Sequence, residues 1–139
     1  MSRTTLALAG LTALAVSACA APQTFQGPMS GSYESPNTGS RGAGTVVATV
    51  YPSTMAMTYK VEYKDLSGPA TAAHIHGPAA PGANAPVVLP AKVSPSPITG
   101  GATLTPAQLA DLQAGKYYFN IHSAAFPGGE IRGQMLRAQ

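Results

Sequence analysis

From Met55 to Tyr63 the chain alternates. Met55, Met57, Tyr59, Val61 and Tyr63 fall on one side, with Lys60, Glu62 and Lys64 on or near the other. Successive side chains of a β-strand point to opposite faces. The stretch therefore reads as a half-buried antiparallel strand with one dry face and one wet one. A single strand of this kind has nowhere to bury its apolar side, so its neighbours must supply a sheet and a core.

The neighbours read the same way. Phe25–Ser32 is a weak strand carrying two glycines, and Thr45–Tyr51 is rich in β-branched residues. Ala70–His76, Pro86–Leu89, Lys116–His122 and Glu130–Leu136 are further short strands. Between them lie turn-forming stretches: 35–44, Pro52-Ser53, 66–69, 77–84 and 126–129. Residues 90–101 read as loop, and Ala102–Leu104 leads into a helix start. There Thr105 is the N-cap, Pro106 takes the first position, Gln108 completes a capping box and Gly115 is the stop. Leu109 and Leu112 face inward. About eight short strands and one small helix predict an all-β fold, an antiparallel Greek-key β-sandwich with one short helix near 105–114.

The N-terminus has a different character. Arg3 precedes an apolar run from Leu6 to Val16 that is too short to span a bilayer and suits a signal-peptide core. Val16-Ser17-Ala18-Cys19 ends that run and resembles a bacterial lipoprotein signal. The resemblance implies cleavage before Cys19 and acylation (palmitate-type chains) of its sulfur and new N-terminus; ordinary signal cleavage near Ala21, which discards Cys19, is the other reading of the same run. Two or three chains anchor a protein stably where one does not. The expected organisation is a signal peptide over 1–18, a tether over 19–24 and a β-domain over 25–139. The expected location is the bacterial cell envelope, on the outer membrane or the periplasmic face, with the membrane as a partner through Cys19.

Charge excludes another class. The formal charge of +3 includes Arg3, whose removal leaves +2, and no Lys/Arg cluster stands out. Nucleic acid is not an expected partner. The lone Cys19 forms no internal disulfide. No Gly-x-Ser-x-Gly elbow, phosphate loop or paired acids point to catalysis. An unknown protein or small ligand is the expected partner.

The chain has three histidines. His74 and His76 share a face of the strand 70–76, with Ile75 opposite. His122 shares a face with Asn120 and Tyr118, with Ile121, Phe119 and Tyr117 opposite. His122 joins the other two only if the strands are close in one sheet and in matching register, since a one-residue slip reverses every side chain. Three imidazoles on one patch suit copper or zinc. On the last strand Glu130, Arg132 and Gln134 share a face. Glu130 and Arg132 are therefore candidate supporting residues, Glu130 as a group that ligates or orients an imidazole.

Ala72-Ala73-His74-Ile75-His76-Gly77-Pro78-Ala79, the 104–115 helix segment, and His122-Ser123 through Gly129-Glu130-Ile131-Arg132-Gly133-Gln134 together resemble the CHRD domain, named for chordin. Order and spacing match over roughly residues 24–137. The opening segment Met29–Pro36 matches the family pattern only loosely. The resemblance implies a β-sandwich of extracellular or exported proteins and no settled activity. Fainter is a similarity to copper–zinc superoxide dismutase, in the order His74, His76, His122, Arg132. With no fourth histidine, it implies at most a three-nitrogen metal site.

Two functions are therefore carried forward. One is an exported, lipid-anchored CHRD binding or interaction module. The other is a copper- or zinc-binding protein using His74, His76 and His122, with weak redox activity of the dismutase kind. Hydrogen-bonded scaffolding and an anion site remain open for the same side chains. Gly77, Gly129 and Gly133 are expected in turns or close packing, and Ile75, Ile121 and Ile131 in the core.

Overall fold

The computed structural model describes residues 20–139; the stretch 1–18 expected as a signal peptide, and Cys19, lie outside the described residues. The element order is β1 (Gln23–Ser30), β2 (Ala43–Tyr51), β3 (Ala56–Lys64), β4 (Ala70–His76), β5 (Val87–Ala91), β6 (Ile98–Thr103), α1 (Pro106–Gln113), β7 (Tyr118–Ser123), β8 (Ile131–Gln134) and β9 (Leu136–Arg137). β1 begins two residues inside the stretch expected as tether. The strands pair antiparallel along one path, β5-β4-β7-β8-β1-β2-β3-β6, and β9 adds beside β1. β1, β2 and β3 form a meander, and β8 returns to lie next to β1, a Greek-key arrangement. The path curls around one apolar cluster until its ends, β5 and β6, approach each other. The fold is all-β with one short helix, a sandwich whose two halves join into a nearly closed, barrel-like sheet.

The alternation in β3 does what it predicts. Met57, Tyr59 and Val61 are buried, and they pair with Val50, Ala48 and Val46 of β2, which are buried too. Met55 falls in the preceding turn with φ 60°, so β3 starts one residue later than the pattern suggests.

On its other edge β3 pairs with β6, most of which lies in the stretch expected as loop. β6 (Ile98-Thr99-Gly100-Gly101-Ala102-Thr103) contains two adjacent glycines, which weaken strand propensity and hide it in the sequence. Gly100 lies opposite Tyr59, and the phenol ring occupies the space that a Cβ would fill. An aromatic side chain covers the glycine across the strands, a known device for holding such an edge.

The helix forms as its capping signals require. Thr105 Oγ1 accepts from the Gln108 amide at 3.2 Å, and Gln108 Oε1 accepts from the Thr105 amide at 2.8 Å. Leu109 and Leu112 enter the core, and Gly115 ends the helix with φ +70°. The last strand divides at Met135, whose side chain is fully buried and whose amide bonds Tyr117 O at 2.9 Å.

β7 positions the functional face. Phe119 and Ile121 point into the core, yet Tyr118, Asn120 and His122 on its other side are buried as well, all at 8% exposure or less. Stretches 31–42, 77–86 and 124–129 bring residues over this second face. Gly77 leaves room for the Tyr117 ring, and Gly133 lets the β1 backbone at Pro28 come close.

Ile75, Ile121 and Ile131 are at most 1% exposed. Truncating any one to Ala should cost about 2–5 kcal/mol, a large part of the ~5–15 kcal/mol that a domain possesses. Denaturant melts of the three variants check this; a loss below ~1 kcal/mol at all three would contradict the assigned strand faces.

Candidate functional site

The register between β4 and β7 decides where the histidines go. Ala72 pairs with His122, His74 with Asn120 and His76 with Tyr118. Paired residues share a sheet face, so all six side chains rise on the side away from Ile75, Phe119 and Ile121. The three imidazoles meet there. His74 Nδ1 and His122 Nε2 are 3.0 Å apart. Ring centroids are 4.9 Å apart for His74–His122, 5.5 Å for His74–His76 and 6.2 Å for His76–His122. One nitrogen from each ring lies within 4.8 Å of the other two.

Hydrogen bonds fix which nitrogen carries each proton. His122 Nδ1 lies 2.9 Å from the Pro127 carbonyl and His76 Nδ1 lies 2.9 Å from the Ala85 carbonyl. A carbonyl only accepts, so both rings donate from Nδ1. In the neutral rings each Nε2 is then a lone pair. His122 Nε2 receives the proton of His74 Nδ1. His76 Nε2 is buried and has no partner.

Behind His76 stands a layered support. Its ring stacks on Tyr118, with centroids 4.9 Å apart and planes 2° from parallel. The Arg132 guanidinium lies 4.4 Å from the centroid of the same phenol, reaching it from β8 while His76 reaches it from β4. Arg132 pairs with Glu34, Nε to Oε2 at 2.7 Å and Nη2 to Oε2 at 2.6 Å, with side chains only 5% and 3% exposed. Its other hydrogens go to the Ala83 carbonyl at 3.1 Å and Asn84 Oδ1 at 2.7 Å. Asn120 Nδ2 donates to Glu34 Oε1 at 2.5 Å, which leaves Asn120 Oδ1 buried and unpaired. Asn84 Nδ2 donates to Ser35 O at 3.0 Å, tying the 77–86 loop to the segment after β1.

Glu130 bonds none of the imidazoles, and Arg132 supports them only at one remove. Backbone carbonyls and the rings themselves partner the histidines. Glu130 is fully buried and accepts from Ser40 Oγ at 2.6 Å, the Ser67 amide at 2.7 Å and Ser67 Oγ at 2.9 Å. It ties the loop after β1 to the turn before β4. Burial alone would raise its carboxyl pKa, but the hydrogen bonds from Ser123, Ser40 and Ser67 hold it below the usual range. Arg132 supports the site through Tyr118 and Glu34 and bonds no histidine. Gln134, on the same strand face, donates to Ala79 O at 3.1 Å and to Gly115 O at 2.6 Å.

A cleft of about 490 Å³ opens beside the cluster, walled by Glu34, His76, Tyr118, Asn120, Arg132 and the 125–129 turn. Both orphaned atoms, His76 Nε2 and Asn120 Oδ1, belong to residues of its lining. With His76 donating from Nδ1 and Asn120 from Nδ2, each is an acceptor that no donor among the described residues meets. Gly129, with φ +128°, sits against Asn120 and Glu34 where a side chain would intrude.

Glu34 and Asn84 belong to the candidate site without being singled out by the sequence, whereas strand period already puts Asn120 and Tyr118 on the face of His122. One signal for Glu34 is present: it stands in the Met29–Pro36 segment, one of only five acids in the chain. Its partner 98 residues away cannot be read from spacing.

Two outcomes follow from this geometry. Burial pushes the Glu34 carboxyl up, and Arg132 pulls it back toward the charged form. Removing one partner of a buried ion pair strands the other, so Glu34→Ala should destabilise the domain by about 3–5 kcal/mol in denaturant melts. A cost near that of a surface substitution would refute the coupling.

Burial lowers the pKa of His74 and His76. Repulsion from His122 and His76 adds to the shift of His74, and repulsion from His122 and Arg132 to that of His76, against the bond to Ala85. Groups whose folded pKa is depressed bind fewer protons folded than unfolded. The stability they contribute is present above the unfolded value of ~6.5 and is lost as pH falls through the folded one. The melting temperature of chelator-treated protein should therefore drop between about pH 7 and pH 5, and drop less in His74→Gln. A flat profile there would contradict the burial of the rings.

Comparison with known proteins agrees with this architecture. Among curated proteins and among solved structures no significant match was found, so the fainter likeness to copper–zinc superoxide dismutase rests on residue order alone. The model of the CHRD domain matches residues 25–135, from the first core phenylalanine of β1 to the buried Met135 after β8. With that match spanning nearly every element that builds the sheet and the histidine cluster, the chain belongs to the CHRD-domain family.

Proposed function

We propose that this protein is a binding module of the bacterial cell envelope, held to the membrane by lipid on Cys19, whose CHRD domain offers the histidine cleft to a small ligand or a partner. The observation that carries the binding role is a pair of buried, unmatched acceptors, His76 Nε2 and Asn120 Oδ1, on two residues that line one cleft. Buried polar atoms without partners are rare in folded proteins. Here they stand on a scaffold whose other polar groups are satisfied, so the walls are fixed before a ligand arrives, which limits the ordering cost of binding. Among the described residues no hydroxyl is hydrogen-bonded to any of the three imidazoles, which favours binding over nucleophilic catalysis.

In this reading the anchor lies close to the domain. Only residues 20–22 separate Cys19 from β1. β1 then runs from Gln23 to Ser30, where Ser30 pairs with Arg132. At ~3.3 Å per residue this carries the chain about 23 Å from the tether end to the site end. A domain anchored at Cys19 would hold the cleft away from the membrane surface and open to solutes or partners.

The anchor is tested by Cys19→Ser in a Gram-negative host. Wild type should sediment with membranes and leave them only with detergent. The variant should become soluble or remain unprocessed, and a variant that fractionates like wild type would exclude the lipoprotein reading.

A further inference from the structure

We infer that His74, His76 and His122 form a site for one divalent transition-metal ion of the copper–zinc class. The assignment rests on the proposed binding role of the cleft region and names its ligand.

The hydrogen-bond pattern carries the argument. Histidines that ligate metals generally donate their other ring N–H to a carbonyl or carboxylate, which fixes tautomer and orientation. His76 and His122 already do so, to Ala85 O and Pro127 O, each at 2.9 Å. Their Nε2 lone pairs are thereby free to ligate. His122 Nε2 and His74 Nδ1 stand 3.0 Å apart, close to the ~3.3 Å that separates two nitrogens bound tetrahedrally at ~2.0–2.1 Å. In the metal-free protein a single proton lies between them. When the ion enters, that proton moves from Nδ1 to Nε2 of His74, so each ring stays neutral and presents one lone pair.

The third ligand needs a small movement. The three nitrogens spread over 4.8 Å, whereas two atoms bound to one ion at ~2.0–2.1 Å are at most ~4.2 Å apart. The widest pair must close by ~0.6 Å to reach that limit and by ~1.5 Å for the tetrahedral separation, and by ring centroids the outlying ring is His76. It gains a partner for an Nε2 that otherwise has none.

The surroundings select the ion. Neither buried carboxylate is free to ligate: Glu130 is committed to Ser40 and Ser67, and Glu34 to Arg132 and Asn120. Three neutral nitrogens disfavour magnesium and calcium, which require oxygen, and suit copper or zinc. The nearby guanidinium, which would repel a cation, is neutralised by Glu34 at 2.6 Å. Copper(II) should bind more tightly than zinc, following the usual order of divalent affinities. Water fills the remaining positions.

The test uses mature protein extracted from membranes, stripped with chelator and titrated at pH 7.5 with copper(II) or zinc in competing buffer. One equivalent should bind and raise the melting temperature. His74→Ala, His76→Ala and His122→Ala should each weaken affinity by more than the 10–100-fold that outer-layer changes cost, whereas Lys60→Ala, on the exposed face of β3, should not. If a histidine variant does not fold, pulsed electron paramagnetic resonance of copper-loaded wild type still decides, since three coordinated imidazole nitrogens are required. Native mass spectrometry of the protein as extracted separates the two levels of failure. No metal uptake together with a bound organic molecule would overturn the metal site and leave the binding role. No metal and no retained ligand would overturn both. Coordination by fewer than three imidazoles would overturn the site as drawn.

Discussion

The antiparallel register of β4 against β7 is the constraint from which the rest of the outer face follows. Ala72 opposite His122, His74 opposite Asn120 and His76 opposite Tyr118 put the histidines, the asparagine and the tyrosine of both strands on one side. The same register sends Ile75, Phe119 and Ile121 to the other, where they are buried in the common core. Because strand side chains have period two, a slip by one residue would turn the histidines into the apolar core and the isoleucines out of it. The hydrophobic core therefore enforces the geometry of the polar cluster, and the two faces are not independent choices.

A strand with polar side chains on its second face would ordinarily leave that face wet. Here it is covered, and the Glu34–Arg132 pair organises the cover. The carboxylate comes from just beyond β1, the guanidinium from β8. Between them they engage Asn120, Asn84 and the Ala83 carbonyl. Loops from separate parts of the chain are thus fastened over β7 by charge-assisted bonds, which are stronger than neutral ones. A buried pair is not free stability, because desolvating both charges costs several kcal/mol. Its visible contribution is placement: Arg132 holds Ala83 and Asn84, the residues just before Ala85, whose carbonyl accepts from His76.

How much of this is legible in the sequence depends on the range of the interaction. Local signals read well. The alternation in β3, the capping box at Thr105–Gln108 and the shared face of His74 and His76 depend on residues a few positions apart, and each appears in the fold. The placement of Ile75, Ile121 and Ile131 follows from the same period. β6 escapes notice because Tyr59 lies across Gly100, a contact between strands with no trace in the propensity of ITGGAT itself. Sharing a strand face with Arg132 does not make Glu130 a neighbour of the histidines. Glu130 stands one residue before β8 begins, and its hydrogen bonds turn it toward Ser40 and Ser67. Glu34 becomes part of the site only through folding, since its partners Asn120 and Arg132 are 86 and 98 residues away.

Scaffolding and ligand binding need not compete as explanations of the histidines. A scaffold histidine and a metal-ligating one both need a fixed tautomer, and in both a carbonyl on Nδ1 fixes it. What differs is the fate of Nε2. His122 Nε2 is satisfied by a neighbouring ring, an arrangement that a purely structural pair would also adopt. His76 Nε2 is buried and unmatched, and leaving such an atom unpaired costs about 1–3 kcal/mol. Packing and the bond from Nδ1 to the Ala85 carbonyl account for the ring and for one of its nitrogens, and neither accounts for the unmatched Nε2. The cost makes sense if the atom is reserved for something that arrives after folding. The hydrogen bonds that hold the cluster together are then the same ones that prepare it to bind.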